Sequence, residues 1–439
     1  MKLKRTIISI VALMLAVCLM PTALAATWYL EDGDITVIAD ENGQSVKQGS
    51  NSAVADSDTV ITQRDSEKAT DNTITVSTEG DAEANITIKD INIASGADSA
   101  IDVGDSNLNL TVEGENKLNA DGDSAALRVS SGDLTIDGTG SLTAEHNGRE
   151  GILQDSAKIG SNAGEDMTGN IHITGDVTVT TGGNNSVYHD SGVPGDEKFG
   201  TLSGGAGIGA GDEENLNGTV TITDNADVTA VSGKNGAGIG SGCEASFKGT
   251  IIISGNAKVT ARTGVSEYDG NLYTFAAALG ATDDDVFNGN IMILGNAKLT
   301  TGVVEKNSVT RENPLGKLLE NMKGYIGSDC NRVEHYGHVF ISDTATINGI
   351  SGTDKTTLNG YINGGNGTDI IPVQVEVLPN GDIINTLPVP KHSSGPNLIP
   401  FFVGSEGTLG IMTKAKFKIV KQPETRIHHA FLFSDIHVG

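Results

Sequence analysis

Short runs in which aliphatic residues alternate with polar ones recur along this chain. Asn85-Ile86-Thr87-Ile88, Asn109-Leu110-Thr111-Val112 and Asp133-Leu134-Thr135-Ile136 are the first three, and similar runs centre on Ile171, Val220, Ile251, Ile291 and Val339. A period of two places one set of side chains on a buried face and the other in solvent, so each run predicts a short half-buried strand. The steps from Ile86 to Leu110 to Leu134 are both 24 residues, and later steps are 37, 49, 31, 40 and 48. A constant unit with loops of variable length inserted between copies accounts for that series.

Each unit carries two further strand signals. One is Asp227-Val228-Thr229-Ala230, repeated as Lys258-Val259-Thr260-Ala261 and Lys298-Leu299-Thr300. The other is Gly205-Ala206-Gly207-Ile208-Gly209, repeated as Gly236-Ala237-Gly238-Ile239-Gly240 and echoed at Ala278-Leu279-Gly280 and Tyr325-Ile326-Gly327. Three short strands in about 24 residues cannot bury their apolar row alone, and stacking of successive units supplies the missing cover. The expected fold is all-β: a right-handed parallel β-helix, or solenoid, with its hand following the general rule for parallel crossovers. Glycine in these repeats serves tight corners and positive φ. No Gly-rich stretch opens a helix or carries a following Lys-Ser/Thr, so neither dinucleotide nor P-loop chemistry is indicated.

Composition sharpens this picture. Of 439 residues 57 are Gly and 4 % are aromatic, with 29 Lys plus Arg against 56 Asp plus Glu for a formal net charge of −27. Nucleic acid is excluded as a partner, because binding its phosphates requires a basic footprint. At the N-terminus Lys2, Lys4 and Arg5 precede an apolar run, Ile7 to Met20, and the small residues Ala23-Leu24-Ala25. That arrangement predicts a cleaved export signal over 1–25 and a secreted or cell-surface location. No later stretch approaches the ~20 apolar residues of a membrane-spanning helix. Seven of ten prolines fall after residue 371, where six basic and five acidic residues give a net of +1, against 20 basic and 51 acidic residues over 26–371. Two bodies are therefore expected: 26–70 as an N-terminal capping region with 71–371 as the repeats, and 372–439 as a separate segment.

Two cysteines remain after the leader. Cys243 and Cys330 sit at the same repeat offset, about two rungs apart, beyond the ~7 Å limit for a disulfide, so both are expected as free thiols. The same turn carries Asp212, Glu213 and Glu214 in one copy and Asp283, Asp284 and Asp285 in another. These carboxylates suit either a solvated acidic rim or an oxygen-ligated Ca²⁺ site, with Asp212, Asp283, Asp284 and Asp285 as its candidate ligands. The paired carboxylates of Asp283 to Asp285 also carry a weaker reading as general acid and base on a polysaccharide. Over about 70–350 the GAGIG-type repeats resemble the carbohydrate-binding-domain β-helices of exported bacterial surface proteins. That resemblance implies a binding or structural role, with a glycan or another surface macromolecule as partner.

The tail reads differently. Val373 to Asp382 forms a strand and turn signal, followed by Lys391-His392-Ser393-Ser394-Gly395-Pro396 and then Gly404-Ser405-Glu406-Gly407-Thr408-Leu409-Gly410-Ile411. Residues 373–424 resemble the end of the FAD-binding (PCMH-type) domain of FAD-linked oxidases, the group of glycolate oxidase, D-lactate dehydrogenase and alkyl-dihydroxyacetonephosphate synthase. The resemblance implies a small partial α+β fragment in which Gly404, Ser405, Glu406, Gly407, Thr408, Leu409, Gly410 and Ile411 lie against the flavin dinucleotide. The upstream pyrophosphate-binding half is not found before this segment. The expectation for the whole chain is accordingly a surface-exposed binding protein with no catalytic residues and no resident cofactor, FAD entering only through the tail. The alternative expectation is an FAD-dependent oxidoreductase.

Overall fold

The computed structural model describes residues 26–363, apart from internal stretches of which 147–154, 184–203, 305–316 and 329–336 are the longest, and the strands Gln374–Val377, Ile383–Thr386 and Ile411–Met412. The chain divides into two compact units, Met1–Ile371 and Pro372–Gly439. The first unit is nearly all β. Its described helices are a 3₁₀ turn at Leu30–Asp32 and one α-helical turn at Lys355–Leu358.

Three large sheets make up this unit. The first has ten strands, from Thr27–Tyr29 through Glu83–Lys89, Asn107–Glu113 and Asp133–Gly138 to His338–Ile341, with every pairing parallel. The second, of nine strands, is parallel from Asn92–Ala94 to Thr346–Ile347 and ends in an antiparallel partner, Ile350–Ser351. The third has twelve strands and is parallel from Ile35–Asp40 to Ile362–Asn363, with the antiparallel strands Gly43–Gln48 and Val54–Ala55 finishing one edge. From Glu83–Lys89 onward successive strands visit the first, second and third sheet in turn, interrupted by the separate hairpin Ser266–Tyr268 and Asn271–Tyr273 and by the antiparallel end strand Ile350–Ser351.

The strands form where they do because each presents β-branched or aliphatic residues to one interior. In the first sheet one inward column runs Ile86, Leu110, Ile136, Ile173, Ile222, Ile253, Ile293 and Ile341. All eight are buried. At about 1.5–3 kcal/mol for each aliphatic side chain removed from water, such columns supply most of the driving force for stacking. Near the corner between sheets Met167, Leu216, Phe247 and Phe287 continue a column through single parallel bridges, with the two phenyl rings stacked at 5.6 Å and 18°. At an exposed turn the amides of Asn225, Asn256 and Asn296 form a ladder, each donating one strand down, to Asp176 at 2.9 Å and then at 3.2 Å twice.

The register corrects one spacing read from the sequence. Leu110 pairs with Ile136, and it is Leu108 that faces Leu134, so the second step of the first sheet is 26 residues rather than 24. A slip of two leaves every side chain on its own face, and periodicity alone does not resolve it. The third-sheet signals pair as aligned, Ile208 with Ile239, Leu279 and Ile326 in succession, and Ile159 on the preceding strand pairs with Ile208. The glycine after each of these residues is required by geometry. At Gly209, where φ is +139°, a Cβ would lie 2.0 Å from the Gly240 carbonyl oxygen on the next strand.

Candidate functional site

The turns that follow the third-sheet strands bring the acidic residues together. Aligning on Gly160, Gly209 and Gly240 stacks Gly164, Glu213 and Glu244 at one position, and all three have positive φ, 82°, 60° and 52°. The neighbouring position stacks Glu165, Glu214 and Ala245. Asp212 is partly buried here, its Oδ1 accepting from the Gly204 N–H at 2.9 Å. Burial pushes the Asp212 carboxyl up to about 7 against that hydrogen bond, and repulsion from Asp155, Glu213 and Glu244 pushes the same way. Burial likewise raises Glu214 to about 7, aided by its hydrogen bond to Asp166 and by the charges of Asp166, Glu213 and Glu165. Asp166 is the ionised partner, accepting from the Asn215 N–H at 2.8 Å and from the side chains of Asn215 and Asn217 at 2.9 Å each. This corner exchanges protons near neutrality.

Cation-binding geometry is a separate question. Among the described residues no group of three or more His, Cys, Asp or Glu side chains is arranged to hold a metal ion. Asp212 is described; Asp283, Asp284 and Asp285 lie outside the described residues. Arg128, beside Glu165 of this corner, is committed: its guanidinium donates to Glu165 at 2.7 and 3.0 Å and to Asp102 at 2.8 Å. Those bonds, the Glu165 bond first, hold it firmly protonated despite burial.

A second cluster was not singled out in the sequence. Lys158 and His146 are both fully buried. Among the described residues Lys158 Nζ and His146 Nδ1 have no hydrogen-bond partner. His146 Nε2 lies 3.3 Å from the Ala157 carbonyl and donates to it, which leaves Nδ1 as a bare acceptor. Burial pushes the Lys158 amine down to about 8. Burial, and secondly the Lys158 charge, keep His146 neutral well below its ordinary value. The signal was available: Lys158-Ile159-Gly160 aligns with Gly207-Ile208-Gly209 of the next copy, so an amine stands where the next three copies carry Gly207, Gly238 and Ala278.

Cys243 is buried at the predicted offset and in no disulfide among the described residues, and Cys330 lies outside the described residues. The pairing of Ile239 with Leu279 and of Leu279 with Ile326 puts two strand spacings between their copies.

The second unit contains a three-stranded antiparallel sheet. Gln374–Val377 is central, pairing with Ile383–Thr386 on one side and Ile411–Met412 on the other. Val377 faces Ile411 and Glu376 faces Met412. The glycine-bearing segment therefore runs directly into a sheet strand at its last residue, Ile411; residues 404–410 lie outside the described residues. Its spacing of glycines, at 404, 407 and 410, leaves three positions with no Cβ to hold a ligand away from the backbone.

No family model and no solved structure matches this chain. Curated relatives do match over part of it. The glycolate oxidase subunit GlcD of Bacillus subtilis is 41% identical over 93 residues, 21% of this chain and 20% of that protein. The mitochondrial D-lactate dehydrogenase [cytochrome] 1 of Saccharomyces cerevisiae is 42% identical over 123 residues, 27% and 21% of the two chains. The alkyldihydroxyacetonephosphate synthase of Caenorhabditis elegans is 30% identical over 127 residues, 28% and 20%. The chain spans about a fifth of the length of these relatives. These similarities overturn the expectation of a surface protein whose role is glycan binding or structural: the relatives are oxidases, dehydrogenases and a synthase, and they favour the flavin reading of the tail. Over that partial stretch the chain is similar to FAD-linked oxidases and dehydrogenases.

Proposed function

We propose that this chain is an FAD-binding oxidoreductase of the FAD-linked oxidase type, with residues 372–439 supplying part of the flavin site. The observation that carries the reading is the similarity to glycolate oxidase and D-lactate dehydrogenases, joined to the segment Gly404–Ile411 at the start of a sheet strand. Glycines at 404, 407 and 410 would let the backbone approach a flavin dinucleotide closely, with backbone N–H groups available to its phosphates. Glycolate and D-lactate are both 2-hydroxy acids, which makes that class the proposed substrate. Bound FAD would supply the two-electron acceptor for such a substrate. The chain's own contribution is to bind and orient the dinucleotide.

In this reading the first unit winds as a right-handed parallel β-helix. The support is the cyclic visiting of three sheets by successive strands and the right-handed preference of parallel crossovers. Residues 1–25 would direct export ahead of it.

The test is the visible spectrum of the purified full chain after incubation with FAD and gel filtration. A flavin band retained near one equivalent is the expected result, with at least a tenfold loss of occupancy in Gly407→Val. A colourless protein after gel filtration refutes the reading.

A further inference from the structure

Between the second and third sheets one repeat departs from its neighbours at two positions at once. His146, the last residue of Ser141–His146, pairs with Ala120 on the strand before and with Gly183 on the strand after. Lys158 immediately precedes Ile159, which pairs with Leu127 and with Ile208, so it stands between Ala126 and Gly207. The repeats on either side thus carry Ala and Gly at both positions, where this one carries an imidazole and an amine. The two meet: His146 Nε2 lies 3.3 Å from the carbonyl of Ala157, the residue before Lys158, and the Lys158 charge acts on the ring.

Each side chain is 2 % exposed. Among the described residues neither Lys158 Nζ nor His146 Nδ1 has a hydrogen-bond partner. With Nε2 donating to Ala157, Nδ1 is an uncommitted base beside a primary amine. Ala126 and Gly207 give the amine no bulky neighbour on the adjoining strands. Burial favours the uncharged amine, bringing Lys158 down to about 8, so that about half is neutral at pH 8. A desolvated lysine amine next to a base is an activated nucleophile. Keeping this pair costs stability that Ala or Gly in its place would not, a departure typical of sites under functional demand.

We propose that Lys158 is a carbamylation site, its amine adding carbon dioxide with His146 as the proton acceptor. The Nζ lone pair attacks the carbon, an N–C bond forms, and one C=O π bond opens onto oxygen. The proton that the nitrogen then sheds passes to His146 Nδ1. The products are a carbamate anion and an imidazolium whose Nδ1–H donates to a carbamate oxygen; nothing is oxidised or reduced. Both unpartnered atoms are thereby used, and the buried pair is neutral overall. The reagent must cross packed protein, and small uncharged molecules do enter closed apolar interiors. A preformed anion would have to shed its hydration and would face the Nδ1 lone pair. Without added bicarbonate the amine stays free. This inference concerns the first unit and is independent of the flavin reading.

The experiment is carbon-13 NMR of the full chain equilibrated with labelled bicarbonate at pH 8. One carbamate carbon resonance per chain is expected, saturating with bicarbonate, lost in Lys158→Met and reduced at least tenfold in His146→Phe. Lys117→Met removes an exposed lysine from the second sheet and should leave that resonance unchanged. Carbamate on the α-amino group persists in Lys158→Met and is subtracted. Thermal melting supplies a second readout: bicarbonate should raise the wild-type midpoint above that in chloride of equal ionic strength, and leave Lys158→Met unmoved. Circular dichroism confirms the fold of each variant. Identical spectra for wild type and Lys158→Met would overturn the proposal. So would an equal loss in Lys117→Met, a resonance indifferent to His146→Phe, or an equal bicarbonate shift in the melting of wild type and Lys158→Met.

Discussion

Replacing Lys158 with Met should stabilise this protein at neutral pH. The amine is fully buried, and among the described residues it has neither a hydrogen-bond partner nor a counter-ion for its charged state. Burial lowers its proton affinity from an ordinary value of 10.5 to about 8. At about 1.4 kcal/mol per tenfold change in proton affinity, that difference is worth about 3 kcal/mol. The sign follows from linkage: between about pH 8 and 10.5 the unfolded chain binds the proton and the folded chain does not, so stability rises with pH across that window. Below about pH 8 both states are protonated and the full deficit of about 3 kcal/mol persists; at pH 10 about 1 kcal/mol of it is left. Methionine fills nearly the same volume with no group to desolvate, so Lys158→Met should gain about 1–3 kcal/mol at pH 7, any repacking cost being smaller. Urea denaturation at pH 7 and pH 10 measures this directly. The wild-type midpoint should rise relative to the variant between the two pH values, and groups common to both proteins cancel in the comparison. A variant that is less stable than wild type at pH 7, with no pH-dependent difference, would refute the argument and assign Nζ a partner.

Two further outcomes follow from the same structure. Asp212 and Glu214 each reach about 7, burial being the first cause in both. The folded state therefore holds protons that the unfolded state has released between about pH 4 and 7, and stability should fall across that window and stay low above it; Asp212→Asn with Glu214→Gln should flatten the profile, read by thermal melting from pH 4 to 8. Truncating Phe247 to Ala removes one ring of the stacked pair with Phe287 from the sealed corner column and should cost about 3–5 kcal/mol, measured as a drop in urea midpoint.

The β architecture was legible because a period of two and the recurrence of a three-strand unit survive even in short, degenerate copies. The Ile208, Ile239, Leu279 and Ile326 alignment emerged from the sequence because a glycine follows each residue, and that glycine is fixed by the close approach of the next strand. Where no such marker exists the sequence underdetermines register: Leu110 could face Leu134 or Ile136 with the same side chains buried, and the pairing chosen is Ile136. Lys158 and His146 were passed over for a related reason. Each sits on a strand or corner whose neighbours read as ordinary repeat, and only the alignment of Lys158 with Gly207, Gly238 and Ala278 exposes the substitution as an amine where the next copies are small. Charge counting pointed instead to the acidic turns, which are chemically active near neutral pH yet show no metal-binding arrangement among the described residues. The functional assignment failed in the opposite direction, by giving the long repetitive part precedence over the short specific one. Repeats report how a core is buried, and a periodic Ile, Thr and Gly pattern is satisfied by stacking alone, whatever the chain does. Eight residues, Gly404 to Ile411, carry no fold by themselves. In the proposed flavin reading their glycine spacing would answer to close approach of a ligand, which is the kind of information about chemistry that a stacking repeat does not carry.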